Sequence, residues 1–244
     1  RDHELSLTHS SSYTRPSYRD LLGYTSVASA AFLRKGNSEL RTSYRRGLSL
    51  NYTYMRAAQL ELSYTDTEDP IVEAMPPMLG GGLVLRRYNL DYSRTLRALL
   101  VLPLPLVSQK KFSWLALTIL AAQRQWDAGH IEMTDYSAAL NTQFVQHRHS
   151  FSLPSDWTVD LGVTYYSGVL YELYRIQRQW WIDASVSKRM GNLRATLSAR
   201  DPFNTNIARG SYNPEVNGLA FERNWHSPRL ELTISYSWGK KSVK

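Results

Sequence analysis

The sequence predicts an all-β chain: an antiparallel transmembrane β-barrel to which it contributes about ten strands. Three patterns predict it. Apolar and polar side chains alternate with a period of two along most of the chain, aromatic residues bracket the apolar runs, and the gaps between runs alternate in length.

The alternation is clearest in seven stretches. In "LSLNYTY", Leu48, Leu50, Tyr52 and Tyr54 share one face, with Ser49, Asn51 and Thr53 on the other. "LELSYT" sets Leu60, Leu62 and Tyr64 against Glu61, Ser63 and Thr65, and "YNLDYS" sets Tyr88, Leu90 and Tyr92 against Asn89, Asp91 and Ser93. "WTVDLGVTYY" places Trp157, Val159, Leu161, Val163 and Tyr165 together. "WWIDASVSK" does the same for Trp180, Ile182, Ala184 and Val186, and "LRATLSAR" for Leu193, Ala195, Leu197 and Ala199. "RLELTISYSW" ends the series with Leu230, Leu232, Ile234, Tyr236 and Trp238 against Glu231, Thr233, Ser235 and Ser237. A period of two is the strand signal, because successive side chains point to opposite faces. The stretches 112–125 and 136–151 are strand-like but mixed on both faces, and 96–107 assigns no face at all.

Strands are expected near 3–14, 44–56, 59–69, 84–102, 112–124, 136–152, 157–167, 175–189, 193–213 and 219–238. The gaps 15–43, 70–83, 125–135, 168–174 and 214–218 are the long set; those near 57–58, 103–111, 153–156 and 190–192 are the short one, with turn chemistry in "LPSDW" and "RMGN". Such alternation follows when all loops at one end of a meander are elaborate and all at the other are clipped.

A soluble β-sandwich also alternates, but its buried face favours Val, Ile and Phe, and its loops need not sort by length. Here Tyr52, Tyr54, Tyr88, Tyr92, Trp157, Tyr165, Trp180, Tyr236 and Trp238 are read as an aromatic girdle around an apolar band, the barrel signature. In lipid every backbone group needs an internal partner, so such strands must close. The expected division is a barrel segment over 1–239 and a basic tail over 240–244.

Composition narrows the function classes. Sixteen Tyr and seven Trp against six Phe suit side chains with one dry and one wet end. No Cys is present, which removes disulfides and Cys-based zinc sites. The net charge of +8 is scattered, with dense clusters only at Arg45-Arg46, Arg86-Arg87 and Lys240-Lys241, so no nucleic-acid partner is expected. No run reaches the roughly 18 apolar residues of a membrane helix. The first residue, Arg1, reads as a chain processed or excerpted from a longer one.

"YTRPSYRDL" and "RKGNSELRTSYRRGLSLNYTY" resemble the barrel of TonB-dependent outer-membrane receptors, in the subset called the outer-membrane-protein β-barrel family. "SKRMGNLRATLSARDPFNT" resembles that family's strand, turn and D-I-F-N-T element, and "LELTISYSWG" its closing strand. Ser38, Thr42, Pro202 and Trp238 depart from the family pattern. The resemblance implies a bacterial outer-membrane location and the C-terminal portion of a 22-stranded receptor with a plugged lumen. It implies uptake of a scarce ligand, a siderophore, glycan or peptide. The partners it implies are outer-membrane lipid, the plug and N-terminal strands of the same receptor, a TonB-type energising complex and a surface lipoprotein.

Polar residues between the apolar ones are expected to line the lumen: Glu61, Asp91, Asn141, Gln143, Asp160, Asp183, Arg194, Arg200 and Glu231. Acid–Arg pairs across neighbouring strands would keep that interior hydrated and hold a plug. Ligand recognition is placed in loops 15–43, 70–83 and 204–218, since loops on a rigid scaffold carry binding. His147 and His149 share a face and are read as wall residues rather than a metal site. His130 with Asp127 or Asp135, facing Glu68 and Asp69, imitates the water-activating rim of an outer-membrane protease, but no motif demands it. "MLGGGL" lacks the Lys and Ser/Thr of a phosphate loop and reads as an extracellular loop. No enzyme, cofactor or metal is expected. The alternatives are a complete small barrel acting as adhesin, structural protein or surface protease, and a soluble sandwich module.

Overall fold

The computed structural model describes residues 2–23, 25–29, 32–75, 83–132, 134–212, 219–224 and 228–238. β1 (His3–Thr14) leads into a long connection holding α1 (Tyr18–Leu21), β2 (Thr25–Ser29) and β3 (Phe32–Lys35). The chain returns in β4 (Ser43–Tyr54), turns at Met55 and Arg56, and runs out again in β5 (Ala58–Glu68). β6 (Ile71–Ala74) and β7 (Leu83–Asn89) fill the next long connection. Three long strands follow: β8 (Tyr92–Ser108), β9 (Ser113–Ile131) and β10 (Thr134–Leu153). After β11 (Trp157–Tyr166), the hairpin β12 (Val169–Tyr171) and β13 (Tyr174–Ile176) precedes β14 (Gln179–Met190). β15 (Leu193–Arg200), β16 (Ile207–Tyr212), β17 (Ala220–Asn224) and β18 (Arg229–Tyr236) complete the chain.

Ten of these strands form one antiparallel meander, in the order β1-β4-β5-β8-β9-β10-β11-β14-β15-β18. At one end the connections are tight. Met55 and Arg56 take φ of 50° and 54°, Ser155 and Asp156 of 63° and 60°, and Gly191 of 61°, the left-handed backbone that matches two-residue turns to strand twist. At the other end the connections build two small sheets, β2-β3-β7-β6 and β12-β13-β16-β17.

Register carries one face across all ten strands, because directly opposed residues in an antiparallel pair point the same way. Leu7 opposes Leu50, which opposes Leu62, which opposes Ala98, which opposes Ala122. Farther on, Val163 opposes Ile182, and Leu197 lies between Val186 and Leu232. This face is apolar yet open: Leu7 is 68% and Leu232 65% exposed. A sheet that shows its aliphatic side chains outward is stable only against hydrocarbon.

Among the described residues the meander shows no separate dry core of its own. Burial concentrates above it, where Val72, Ala74, Met75, Tyr88, Leu90, Ile131, Tyr136, Ala138, Leu170, Leu173 and Tyr212 form one cluster. The β9–β10 hairpin rises into this cluster and carries the loop sheets.

Several expected boundaries differ. The strand placed at 84–102 is broken at Leu90 and Asp91, so β7 leaves the meander and Tyr88 is buried in the loop cluster rather than sitting in a girdle. The loop expected at 125–135 is the top of the β9–β10 hairpin, which needs only a turn at Glu132, φ 55°. The strands at 175–189, 193–213 and 219–238 each split between meander and loop sheet. In β8 the register shifts between Pro105 and Val107, where proline has no N–H for the ladder, and Leu99 and Val101 put aliphatic residues on the polar side beside Leu100 and Leu102 on the other, so 96–107 shows no alternation. The glycine-rich stretch at 78–82, the loop at 213–218 and the tail at 240–244 lie outside the described residues.

Candidate functional site

The face opposite the aliphatic one is polar and forms two concavities. The larger, about 1080 Å³, is lined by Arg148, Asp160, Trp181, Asp183, Arg200 and Arg229, with Leu115 and Leu117 at one side. The smaller, about 390 Å³, is lined by Arg45, Glu61, Ser63, Thr95, Arg97 and Gln123.

Eight of the nine expected wall positions can be placed relative to this face through their strands, six of them on it. Glu61 opposes Asn51, Asp160 opposes Ser185, Asp183 opposes Arg200, Arg194 opposes Ser235 and Glu231 opposes Ser198, all on the polar face. Asn141 and Gln143 lie on the other face, opposite Arg124 and Ala122 in the row of Leu96 and Ala98. Asp91 is not in a strand; its N–H donates to the Ala128 carbonyl and its carboxylate stands 3.5 Å from His130 Nδ1. Small and polar residues on both faces of β10 hide its orientation, so alternation alone misplaced Asn141 and Gln143.

Ion pairing across the wall differs from the expectation too. Asp183 and Arg200 are register partners, yet Asp183 accepts the Asp201 N–H at 3.1 Å. Asp160 accepts the Ser185 hydroxyl at 3.1 Å. Arg229 pairs with Glu231 at 2.6 Å. Among the described residues, Arg97, Arg148 and Arg200 have no carboxylate within ion-pair distance. Sequence reading missed Arg97, Arg148, Trp181 and Arg229; their signal was their place between outward residues, legible only once a neighbour's face was known.

The girdle residues fall near the strand ends of the aliphatic face. Tyr52, Tyr54, Trp157 and Tyr236 stand at the tight-turn end, where Trp238 makes an edge contact with Tyr236 at 5.3 Å. Tyr165 and Trp180 oppose each other at the loop end, and Tyr92 begins β8 there.

His147 and His149 are also on the aliphatic face, beside Val163 and Leu161, not on the polar wall. Their rings are made tolerable there by a hydrogen-bonded chain. Trp114 Nε1 donates to His149 Nδ1 at 2.9 Å, which leaves His149 Nε2 as the donor to His147 Nε2 at 2.9 Å. His147 then donates from Nδ1 to Thr118 Oγ1 at 2.8 Å. Both nitrogens of each ring have a hydrogen-bond partner in this arrangement, which is what a polar group needs in hydrocarbon.

Two short motifs anchor the loops. Asn37 Nδ2 donates to the Arg87 carbonyl at 2.9 Å, while its Oδ1 accepts from Glu39 N–H and Arg86. Gly36 beside it is required: a Cβ there would lie 1.6 Å from the Leu22 carbonyl oxygen. In "DPFNTN" the buried Asp201 carboxylate accepts Thr205 N–H at 2.9 Å, Thr205 Oγ1 at 3.1 Å and Asn206 N–H at 3.0 Å. In the loop cluster, burial pushes the Tyr174 phenol up to about 12 and raises Tyr88 and Tyr212 as well; burial likewise raises the Glu172 carboxyl. His130 is flanked by Asp135 at 3.0 Å and Asp91 at 3.5 Å, all three exposed, with no partner from Glu68 or Asp69 among the described residues. Asp127, the other suggested partner, is buried and bonded to Gln125.

An antiparallel meander with an aliphatic outside, aromatic ends and a polar inside defines an outer-membrane β-barrel protein. The sequence agrees: a model of the outer membrane protein beta-barrel family matches residues 1–236, and the chain belongs to that family. Its place is the bacterial outer membrane. No curated protein matches the chain. No solved structure matches it either.

Proposed function

We propose that this chain supplies part of the barrel of a TonB-dependent-type receptor that takes up a scarce ligand, a siderophore, glycan or peptide, through the outer membrane. The observation that carries the reading is the pair of open edges. Among the described residues β1 is bonded to β4 alone and β18 to β15 alone, leaving one backbone row of each without a strand. Such rows are untenable in lipid. The reading gives them neighbouring strands of a larger barrel, closed around a plug on which an inner-membrane complex acts. The arginines of the polar wall supply donors for that plug, and the loop sheets a platform for ligand and for a surface lipoprotein. No catalytic step is part of it.

A second reading, a complete small barrel acting as adhesin, structural protein or surface protease, is favoured by direction. β1 runs toward the long loops and β18 away from them, so the two can pair antiparallel. The intact mass of the native polypeptide from outer membranes tests both. The receptor reading expects a mass several-fold above 28.0 kDa. A mass near 28.0 kDa, with Leu7→Cys crosslinking to Leu232→Cys, overturns it in favour of closure between β1 and β18.

A further inference from the structure

On most of the meander the outward side chains are aliphatic or aromatic, but β9 and β10 put a cation and two amides among them. Arg124 stands between Leu96 on β8 and Asn141 on β10, and Gln143 opposes Ala122. All three polar side chains are exposed. Among the described residues Arg124 has no carboxylate partner; its guanidinium lies over the Trp126 ring at 5.2 Å. Its neighbours are already neutralised. Arg94, opposite Trp126, holds Asp66 at 3.0 Å, and Arg46 holds Glu68 at 3.2 Å. Arg124 is therefore the uncompensated charge of this patch.

Depth decides what it meets. The outward aromatics Trp114 and Trp126 bracket the apolar stretch of β9, and twelve steps of about 3.4 Å at a tilt near 45° separate them by about 29 Å along the membrane normal. Arg124 is one outward position inside Trp126, so its long side chain reaches the headgroup layer while its stem stays against Leu96 and Ala122. The elaborate loops lie at this end, which in such barrels is the extracellular one.

We infer that Arg124, with the Asn141 and Gln143 amides, forms a binding site for the phosphorylated headgroup of an anionic outer-leaflet glycolipid. The guanidinium supplies charge-assisted donors to phosphate oxygens, the amides supply donors to phosphate and sugar hydroxyls, and the flanking aliphatic surface takes the first acyl carbons. Lipid rather than free phosphate is the occupant because the site opens sideways onto the apolar face.

Native mass spectrometry of the whole native protein, released from detergent micelles, tests this with a bisphosphorylated glucosamine-disaccharide glycolipid as the probe. Arg124→Gln is expected to weaken retention roughly tenfold, the loss of one charge-assisted contact, while Arg97→Gln on the polar face leaves it unchanged. The dephosphorylated glycolipid should be held poorly, and millimolar inorganic phosphate should not displace the lipid. Retention by Arg124→Gln equal to the parent, equal loss in Arg97→Gln, equal binding of the dephosphorylated glycolipid, or displacement by inorganic phosphate would each overturn the site. Should Arg124→Gln fail to insert, the double change Asn141→Ala with Gln143→Ala is expected to lower retention severalfold, and unchanged retention overturns the site as well.

Discussion

The Met75 backbone N–H donates to the Tyr212 hydroxyl at 2.8 Å, and this bond joins two loop sheets that lie far apart in the chain. Two residues earlier, the Glu73 N–H donates to the Glu172 carboxylate at 3.0 Å. Glu73 lies in β6, the edge of its sheet, and Met75 directly follows it. Side chains from the β12–β13 turn and from β16 thus take the place of a further strand, which blunts an edge and locks one loop to another.

Tyr212→Phe should loosen this seam. The ring still fills the cluster, but the Met75 N–H loses its acceptor inside a dry site, a cost of about 1–3 kcal/mol. Hydrogen exchange should quicken at Met75 and along β16 while β4 and β5 stay protected. Unchanged protection at Met75 would show that the bond contributes nothing.

Alkali should open the same seam. Tyr174 is pushed up to about 12, with burial the largest cause, against about 10 for an exposed phenol. A raised folded-state value means that the neutral ring stabilises the fold fully below pH 10, and that this contribution is lost as pH rises from about 10 toward 12. Phenolate absorbance near 295 nm should therefore show a fraction of tyrosines titrating late, together with loop opening. A single titration near 10 for all of them would contradict the buried cluster.

Asp201→Ala should disorder the turn that follows β15. Three donors lose their acceptor at a position only 2% exposed, so a cost of about 2–4 kcal/mol is expected. Limited proteolysis should cut within 201–206, and Asp201→Asn, which keeps one carbonyl acceptor for Thr205, should be cut more slowly.

Gly36→Ala should detach the first loop from β7. The added methyl would meet the Leu22 carbonyl at 1.6 Å, so backbone must move and Asn37 lose its place beside Arg87. Proteolysis between 15 and 42 should rise severalfold with the meander intact; parent-like resistance would mean the loop tolerates the shift.

Face assignment is testable on adjacent residues of β4. Leu50→Arg places a charge toward hydrocarbon near mid-strand, at about 2–4 kcal/mol, whereas Ser49→Arg points to the polar face at little cost. Denaturant unfolding in micelles should separate the two. Equal midpoints would undo the assignment of inside and outside.

The amino-acid sequence by itself determined the strand class, the membrane side of β4, β5, β11, β14, β15 and β18, and, apart from the connection at 125–135, the sorting of loops by length. Each follows from local rules: a period of two makes a face, and Leu against Ser or Thr says which face is wet. It could not decide where faces mix. Leu99 and Leu100 are both apolar, and His147, Arg148 and His149 are all polar, so only the register with β5 and β11 tells which points outward. Nor could it see that Tyr88 and Tyr92, apparently one face of one strand, part at Leu90 and Asp91. That break is permitted by Gly129, whose missing side chain lets Leu90 and the Asp91 N–H come within 2.6 Å of where a Cβ would stand. Burial of Leu90 and Tyr88 against Ile131 and Tyr136 then outweighs continuing the ladder, and contact among residues so distant in sequence exists only once the chain is folded.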